Sequence, residues 1–473
     1  MIVEQIYTGC LAQGAYYIES NGEAVVIDPL REVEPYIQKA ERNGAKIKYV
    51  LETHFHADFV SGHLDLSKKT GAPIVYGPNA APEFEAHIAK DGEELKVGNV
   101  TLKVLHTPGH TMESTSYLLK DENGKDMALF SGDTLFIGDV GRPDLAQKLV
   151  TDLTQDKLAG YLFDSLRNKI MPLADDIIVY PAHGAGSACG KNMSKETTDT
   201  LGHQKQTNYA LRANMTKEEF IKEVTTGLVA PPAYFPLNVM LNIKGYESID
   251  KVLERGQHAL SPEAFETAAN ETGALILDTR APQIFAKGFV PNSINIGIDG
   301  SFAPWVGAMI PDIKQEILLV TDEGREEEVI TRLARVGYDY TIGYLKGGFN
   351  AWKISGKEID QIKSITADEL ADIAKKDLSA GAEKANILDV RKASEYQSEH
   401  LQDAENTPLD FINDSMARID KDKTYYVHCA GGYRSMIFAS ILRARGYDKL
   451  IDVKGGFKDI KESGKFTLTD YVC

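Results

Sequence analysis

The sequence predicts a multidomain α/β protein, on three observations. Its 473 residues suffice for about three domains of ordinary size. In the N-terminal half, apolar runs of strand character end repeatedly in short turns that carry a histidine or an aspartate. In the C-terminal half, strands alternate with amphipathic helices, the pattern of parallel sheets joined by helical crossovers, and that half repeats itself.

The N-terminal turns come in order. The first is Thr53-His54-Phe55-His56-Ala57-Asp58-Phe59. The run Val100-Thr101-Leu102-Lys103-Val104-Leu105 then reads as a strand delivering His110 on the Pro-Gly turn of Thr107-Pro108-Gly109-His110-Thr111. Phe130-Ser131-Gly132-Asp133-Thr134 repeats that pattern, and so does Val179-Tyr180-Pro181-Ala182-His183-Gly184. Each polar residue falls just past a strand end, where loops on a rigid sheet carry functional groups. A lone histidine there is ordinarily structural; four such loops in one chain point to a site.

These loops resemble those of the metallo-β-lactamase fold, which implies an αββα sandwich. In that family the His-x-His-x-Asp-His string serves two metals. Here Phe59 stands where its last histidine would be. A phenyl ring has no lone pair, so the second site loses a ligand and a single-metal enzyme is expected. The resemblance to mononuclear members implies His54, His110 and Asp133 as metal ligands. Two imidazoles and a carboxylate suit mononuclear non-haem Fe(II), with positions open for substrate and oxygen. Catalytic zinc also uses such a set, so ligand type leaves both metals open, zinc being expected on misloading. His56, Asp58 and His183 are then expected to orient the ligands by hydrogen bonds, His183 also lining the substrate pocket. Their other reading is as ligands of a degraded second site. His63 is expected to be structural.

The run Gly141-Arg142-Pro143-Asp144 is the more diagnostic part and resembles persulfide dioxygenases. That family oxidises the terminal sulfur of a low-molecular-weight persulfide to sulfite with O2. Arg142 is read either as steering an anionic thiol carrier or as bracing the ligand loop, with a surface salt bridge as the plain alternative. Cys189, in Gly186-Ser187-Ala188-Cys189-Gly190-Lys191, is read as a substrate-binding or sulfur-relay thiol at the pocket rim, or as a small buried filler.

In the C-terminal half, Tyr425-Tyr426-Val427-His428-Cys429-Ala430-Gly431-Gly432-Tyr433-Arg434-Ser435 places a cysteine at a strand end, before a glycine-rich loop and a helix. Backbone N–H groups of such a loop form an anion-binding nest, helped by the helix N-terminus. With Arg434 nearby, they would lower a thiol pKa from about 8.5 to roughly 3.5–7.5. The segment resembles the active loop of a rhodanese, a sulfurtransferase carrying sulfane sulfur on cysteine. The resemblance makes Cys429 and Arg434 catalytic, and Ala430, Gly431, Gly432 and Tyr433 the substrate cradle. Its short Cys-x-x-Gly-x-Arg form fits sulfur, whereas related phosphatases use one more residue.

This module has an internal relative. Ile387-Leu388-Asp389-Val390-Arg391 is echoed by Ile276-Leu277-Asp278-Thr279-Arg280, and Val453-Lys454-Gly455-Gly456-Phe457 by Leu345-Lys346-Gly347-Gly348-Phe349. The Asp-x-Arg pairs read as structural ion pairs. In the first copy Val320-Thr321-Asp322-Glu323-Gly324-Arg325 occupies the loop position, and Asp322 stands where the thiol should be. A carboxylate cannot form a persulfide, so this copy is read as a catalytically silent spacer or docking module.

The expected domains are residues 1–245, 246–358 and 359–473, with Gly227 to Pro236 an extended segment closing the first and Ser355 to Asp360 a linker. A formal charge of −17 argues against binding nucleic acid through phosphates. No run is long and apolar enough to span a membrane, and the start, Met1 to Ile6, lacks the pattern of a signal peptide. Four cysteines, two in reactive-looking loops, indicate a reducing cytoplasm; Cys10 and Cys473 have no comparable context. The resemblances together imply a dioxygenase–sulfurtransferase fusion in sulfide detoxification, turning a thiol persulfide and O2 into sulfite and thiosulfate, and a homo-oligomer. Glutathione, coenzyme A and bacillithiol all remain open as carrier. Two rivals stand: a zinc thioester hydrolase of the glyoxalase II type, and a dioxygenase whose rhodanese half only binds.

Overall fold

The computed structural model describes residues 1–145, 153–191, 193–228, 230–379 and 385–470, so Val229 and Cys473 lie outside the described residues. It divides into two compact units: Met1–Lys251 with Thr331–Tyr338, and Val252–Ile330 with Asp339–Cys473.

The first unit is built on two six-stranded sheets. One runs in the order Ile2–Thr8, Gln13–Ser20, Glu23–Ile27, Lys46–Leu51, Ile74–Tyr76, His87–Ile88. The other runs Asp199–Thr200, Ile178–Pro181, Asp126–Gly132, Thr115–Lys120, Val100–His106, Glu94–Val97. Alternation of apolar residues sets which face is dry. Tyr16, Ile18, Val25, Ile27 and Leu51 of the first sheet pack on Leu102, Val104, Tyr117, Leu119 and Phe130 of the second. The second sheet's other face, with Leu118, Leu129 and Val179, packs on the helices Gln155–Ser165 and Lys217–Thr225 through Leu158's neighbours Ala159 and Leu162, and Phe220 and Val224. Helices Glu34–Asn43 and His63–Thr70 pack against strand Lys46–Leu51. This is the αββα sandwich.

The helix Phe235–Lys244 starts inside the Gly227 to Pro236 segment that was expected to be extended throughout. Pro236 falls in its first turn, where an N–H has no intrahelical partner and a proline is tolerated. The helix matters to the site. Asn242 donates to the carbonyls of His56 (2.8 Å) and Phe59 (2.9 Å) and accepts from Ser61 N–H (3.0 Å), so it sets the loop that carries the histidine string.

The second unit holds two parallel five-stranded sheets with matching order. The first is Ala259–Leu260, Thr341–Leu345, Ile317–Val320, Leu275–Asp278, Ile294–Asn295. The second is Lys363–Ile365, Leu450–Val453, Tyr425–His428, Asn386–Asp389, Ala404–Asn406. The duplication read from the sequence is thus a duplication of topology. At the end of the same strand in each sheet, Asp278 pairs with Arg280 (2.5 Å) and Asp389 with Arg391 (2.6 Å), both pairs buried. No helix among the described residues is long and apolar enough to cross a membrane.

Candidate functional site

The four polar turns of the first unit follow strands Lys46–Leu51, Val100–His106, Asp126–Gly132 and Ile178–Pro181, and their side chains converge. One ligand atom from each of His54, His110 and Asp133 lies within 4.8 Å of the others. The same holds for His56, Asp58 and His183, and for Asp133, His183 and Cys189. All are buried. Asp133 is therefore common to two groups.

Hydrogen bonds on the far side of each ring decide which nitrogen faces the pocket. Thr53 donates its hydroxyl to Asp28 Oδ2 at 2.8 Å, so toward His54 Nδ1, 3.0 Å away, it acts as an acceptor. His54 then carries its proton on Nδ1 and turns a bare Nε2 inward, 3.8 Å from Asp133 Oδ2. His110 Nδ1 donates to the Arg142 carbonyl at 2.9 Å, which leaves Nε2 bare, 3.3 Å from Asp133 Oδ2. His183 Nδ1 donates to the Ala12 carbonyl at 3.2 Å, and its Nε2 lies 3.5 Å from both Asp133 Oδ1 and Asp58 Oδ2. Burial, then the neighbouring His56, His110 and His183, hold the His54 pKa well below its ordinary value, keeping it neutral. Both oxygens of Asp133 and of Asp58, and His183 Nε2, are buried with no hydrogen-bond partner among the described residues. Bare nitrogens aimed at carboxylate oxygens repel unless a cation lies between them, so the donor set fits a metal ion.

His56 is different. Its Nε2 lies 3.1 Å from Asp28 Oδ1 and 3.4 Å from Glu52 Oε2. Burial by itself would lower its pKa, but these two carboxylates outweigh it and hold the pKa well above the ordinary value. Its Nδ1 is buried with no hydrogen-bond partner among the described residues, and the ring falls in one group with Asp58 and His183. Phe59 is fully buried and packs on the His56 ring, centroids 4.4 Å apart. His63 stacks on Phe84 at 5.0 Å, and burial pushes its pKa down to about 3, as suits a structural neutral ring.

The Gly141 to Asp144 loop braces the ligands rather than offering a free cation. Arg142 is 4% exposed; its guanidinium donates to both carboxylate oxygens of Asp144 at 2.7 Å and to the Ala188 carbonyl at 3.3 Å. Its backbone N–H bonds the Cys189 carbonyl at 2.9 Å, tying the two loops together. Cys189 is buried, and burial followed by the charges of Asp58 and Asp133 pushes its thiol pKa well up. Its sulfur falls in one group with Asp133 and His183. Tyr234 is buried near Asp58 and Cys189; burial, then the Asp58 carboxylate, raises its hydroxyl pKa.

The sequence model of the metallo-β-lactamase superfamily matches residues 8–183, and that of the rhodanese-like domain matches 261–355 and 367–463. The mitochondrial persulfide dioxygenase of Homo sapiens is 31% identical over 202 residues, covering 42% of this chain and 70% of that protein. The chain belongs to the metallo-β-lactamase superfamily. Its second unit adds two rhodanese-like domains. The superfamily's hydrolases match as well: the cytoplasmic hydroxyacylglutathione hydrolase of Arabidopsis thaliana is 36% identical over 138 residues, 28% of this chain and about half of that enzyme (53%). A metallo-β-lactamase structure from Staphylococcus aureus subsp. aureus COL is 34% identical, with a TM-score of 0.63, covering 73% of this chain and 98% of that one.

Beyond its superfamily domain, the second rhodanese-like domain presents Cys429, 1% exposed, at the end of strand Tyr425–His428 and before helix Tyr433–Ala444. Gly432 N–H donates to Cys429 Sγ at 3.1 Å, and Ser435 Oγ lies 3.7 Å from it. Ser435 in turn donates to Asp452 Oδ1 at 2.8 Å. Ala430 and Gly431 are exposed at the loop tip. Arg434 makes a bidentate pair with Glu395 (2.6 and 2.8 Å), so its fork is held beside the loop by a carboxylate 39 residues away in the chain. Tyr433 turns away from the cradle and donates to the Gly297 carbonyl at 2.7 Å. Asp28, Thr53, Asn242, Glu395 and Asp452 all escaped the sequence reading. Only Asp28 had a local signal, its place at a strand end in Ile27-Asp28-Pro29.

A Cβ on Gly141 would sit 2.0 Å from the Asp133 carbonyl oxygen and 3.0 Å from His110 Nδ1. The contact is with backbone, which cannot swing aside. Gly141→Ala is expected to displace His110 and Asp133, costing about 1–3 kcal/mol of stability and more than half of the bound metal. Thermal unfolding and metal content after anaerobic purification measure both.

Proposed function

We propose that the chain is a non-haem Fe(II) persulfide dioxygenase coupled to a sulfurtransferase, acting in sulfide detoxification in a reducing cytoplasm. The observation that carries this reading is the complete His54, His110 and Asp133 set, with Phe59, which has no donor atom, ending the histidine string beside it. Iron held by those three side chains would supply oxygen activation and charge neutralisation at its open positions. The residues of the chain do the rest. Thr53 and the Arg142 carbonyl keep His54 and His110 in the tautomer with Nε2 inward. Burial of the pocket excludes water from its polar groups, and Cys189 and Tyr234 border the Asp58 side where a persulfide would lie. The overall step balances: a thiol persulfide, O2 and water give the thiol, sulfite and two protons.

Cys429 then acts as sulfur carrier. Its thiolate attacks the outer sulfur of a second persulfide; the S–S bond breaks and the carrier leaves as thiolate. Sulfite attacks the outer sulfur of the Cys429 persulfide, and thiosulfate departs as the Cys429 thiolate is restored. Gly432 N–H, on Cys429 Sγ, stabilises the thiolate in both steps. Sulfur transfer in the reverse direction uses the same groups.

A second reading, a zinc thioester hydrolase, is favoured by the hydrolase relatives and by the convergence of Asp58 and His183 on Asp133. Oxygen uptake separates the two. With glutathione persulfide the protein is expected to consume O2, with one iron per chain, and Cys429→Ser to accumulate sulfite at the expense of thiosulfate. Two zinc ions per chain, thioester turnover and no oxygen uptake would reverse the assignment. An unchanged product ratio in Cys429→Ser would make the rhodanese half a binding module only. Phe59→His tests the missing donor directly: metal content is expected to rise from about one toward two per chain, since an imidazole restores the lost ligand.

A further inference from the structure

The second unit contains a contact that neither its sheets nor its thiol chemistry require. The cysteine-less rhodanese-like domain carries a short loop, Gly297-Ile298-Asp299-Gly300, after strand Ile294–Asn295. Tyr433, next to Gly432 in the loop around Cys429, lays its ring over both glycines. A Cβ on Gly300 would come within 2.3, 2.5 and 2.8 Å of three Tyr433 ring atoms, and one on Gly297 within 3.3 Å of the same ring. The Tyr433 hydroxyl closes the contact on the Gly297 carbonyl at 2.7 Å. Neither glycine has the positive φ that would demand glycine on backbone grounds. What Gly300 supplies is room for Tyr433.

The loop receiving Tyr433 is itself held by the remnant of a lost site. Arg325, in the segment where the sequence repeat places an active loop, makes a bidentate pair with Asp299 at 2.9 and 2.8 Å and also bonds Glu328 at 2.8 Å. A second link reaches the thiol from below. Gln283 of the cysteine-less domain donates to Asp452 Oδ2 at 2.7 Å, and Asp452 Oδ1 accepts from Ser435, whose Oγ lies 3.7 Å from Cys429 Sγ. Helix Tyr433–Ala444 is also pinned by Ser440, which accepts Asn295 N–H at 2.9 Å.

We propose that the cysteine-less domain is a positioning element for the sulfur-carrying loop, acting through the Gly297–Gly300 socket that Arg325 braces and through Gln283 on Asp452. The mechanism is short-range. Tyr433 follows Gly432, and Gly432 N–H is the donor on Cys429 Sγ. Fixing the tyrosine ring fixes that N–H on the sulfur; releasing it lets the donor drift and leaves the thiolate less stabilised. Gly297, Gly300, Arg325 and Gln283 are positioning residues, none touching the sulfur. This assignment rests on the sulfur-carrier reading of Cys429.

The test uses the full-length protein and follows alkylation of Cys429 by iodoacetamide, read on the Cys429 peptide by mass spectrometry from about pH 5 to about pH 9. Gly300→Ala is expected to slow the reaction near neutral pH at least about tenfold, the scale of one lost hydrogen bond to a charged group, and to move the midpoint to higher pH. Tyr433→Phe, which keeps the ring and loses only the hydroxyl, should shift it the same way by less. In a Tyr433→Ala background Gly300→Ala should change the rate less than about twofold, because the ring it displaces is gone. The proposal is overturned if the Gly300→Ala profile superimposes on that of the unaltered protein, or if its effect is undiminished in the Tyr433→Ala background. Should Gly300→Ala not fold, an unshifted Tyr433→Phe profile overturns it equally. Failure of Cys429 in the unaltered protein to take sulfur from thiosulfate would sink the carrier reading by itself, whatever the alkylation profiles do.

Discussion

The first unit is organised around one electrostatic constraint: three unprotonated imidazole nitrogens, of His54, His110 and His183, face the two oxygens of Asp133 in a buried space. Lone pairs do not converge on a carboxylate in a low-dielectric interior without a compensating cation. Everything near the site serves that convergence. Each outer ring nitrogen has a fixed acceptor, Thr53, the Arg142 carbonyl or the Ala12 carbonyl, and these come from different strands and loops. The sandwich is the device that brings those acceptors within reach.

The two halves of the histidine string have different surroundings. His54 faces the carboxylate that would share a metal with it, whereas His56 is gripped by Asp28 and Glu52. Asp28 serves both, accepting from Thr53 behind His54 and pairing with His56. A single buried acid thus orients the Thr53 hydroxyl behind one ring and lies against the other. Phe59 packs on the His56 ring and brings no donor atom, while both oxygens of Asp58 and His183 Nε2 have no hydrogen-bond partner among the described residues.

The second unit shows what duplication leaves when chemistry is lost from one copy. The sheets keep the same strand order, and the Asp278–Arg280 and Asp389–Arg391 pairs keep the same place. A buried pair with its remaining valences satisfied is costly to break, by about 3–5 kcal/mol when one partner is removed, which favours its retention in both copies. The loop is under no such restraint. Where Cys429 has the Gly432 N–H on its sulfur, the other copy has Asp322 and an arginine turned onto Asp299.

Much of this was legible from sequence because it is periodic or local. Apolar runs, turn residues and the repeated Asp-x-Arg segments gave the α/β class, the duplicated module, and the loops bearing His54, His110, Asp133, His183 and Cys429. The start of helix Phe235–Lys244 was missed because two prolines and a glycine nearby mask a helix whose first turn tolerates Pro236. The partners were missed for a different reason. Asp28 and Thr53 are 25 residues apart, Asn242 and His56 186 apart, and Arg434 and Glu395 39 apart, with no spacing rule to connect them. Sequence alone determined which donors exist and that Phe59 can never be one, since that is a property of the side chain. Which nitrogen His110 and His183 present, and that the Tyr433 hydroxyl points to Gly297, were decided only by tertiary structure, because each depends on an acceptor delivered by a distant strand or loop.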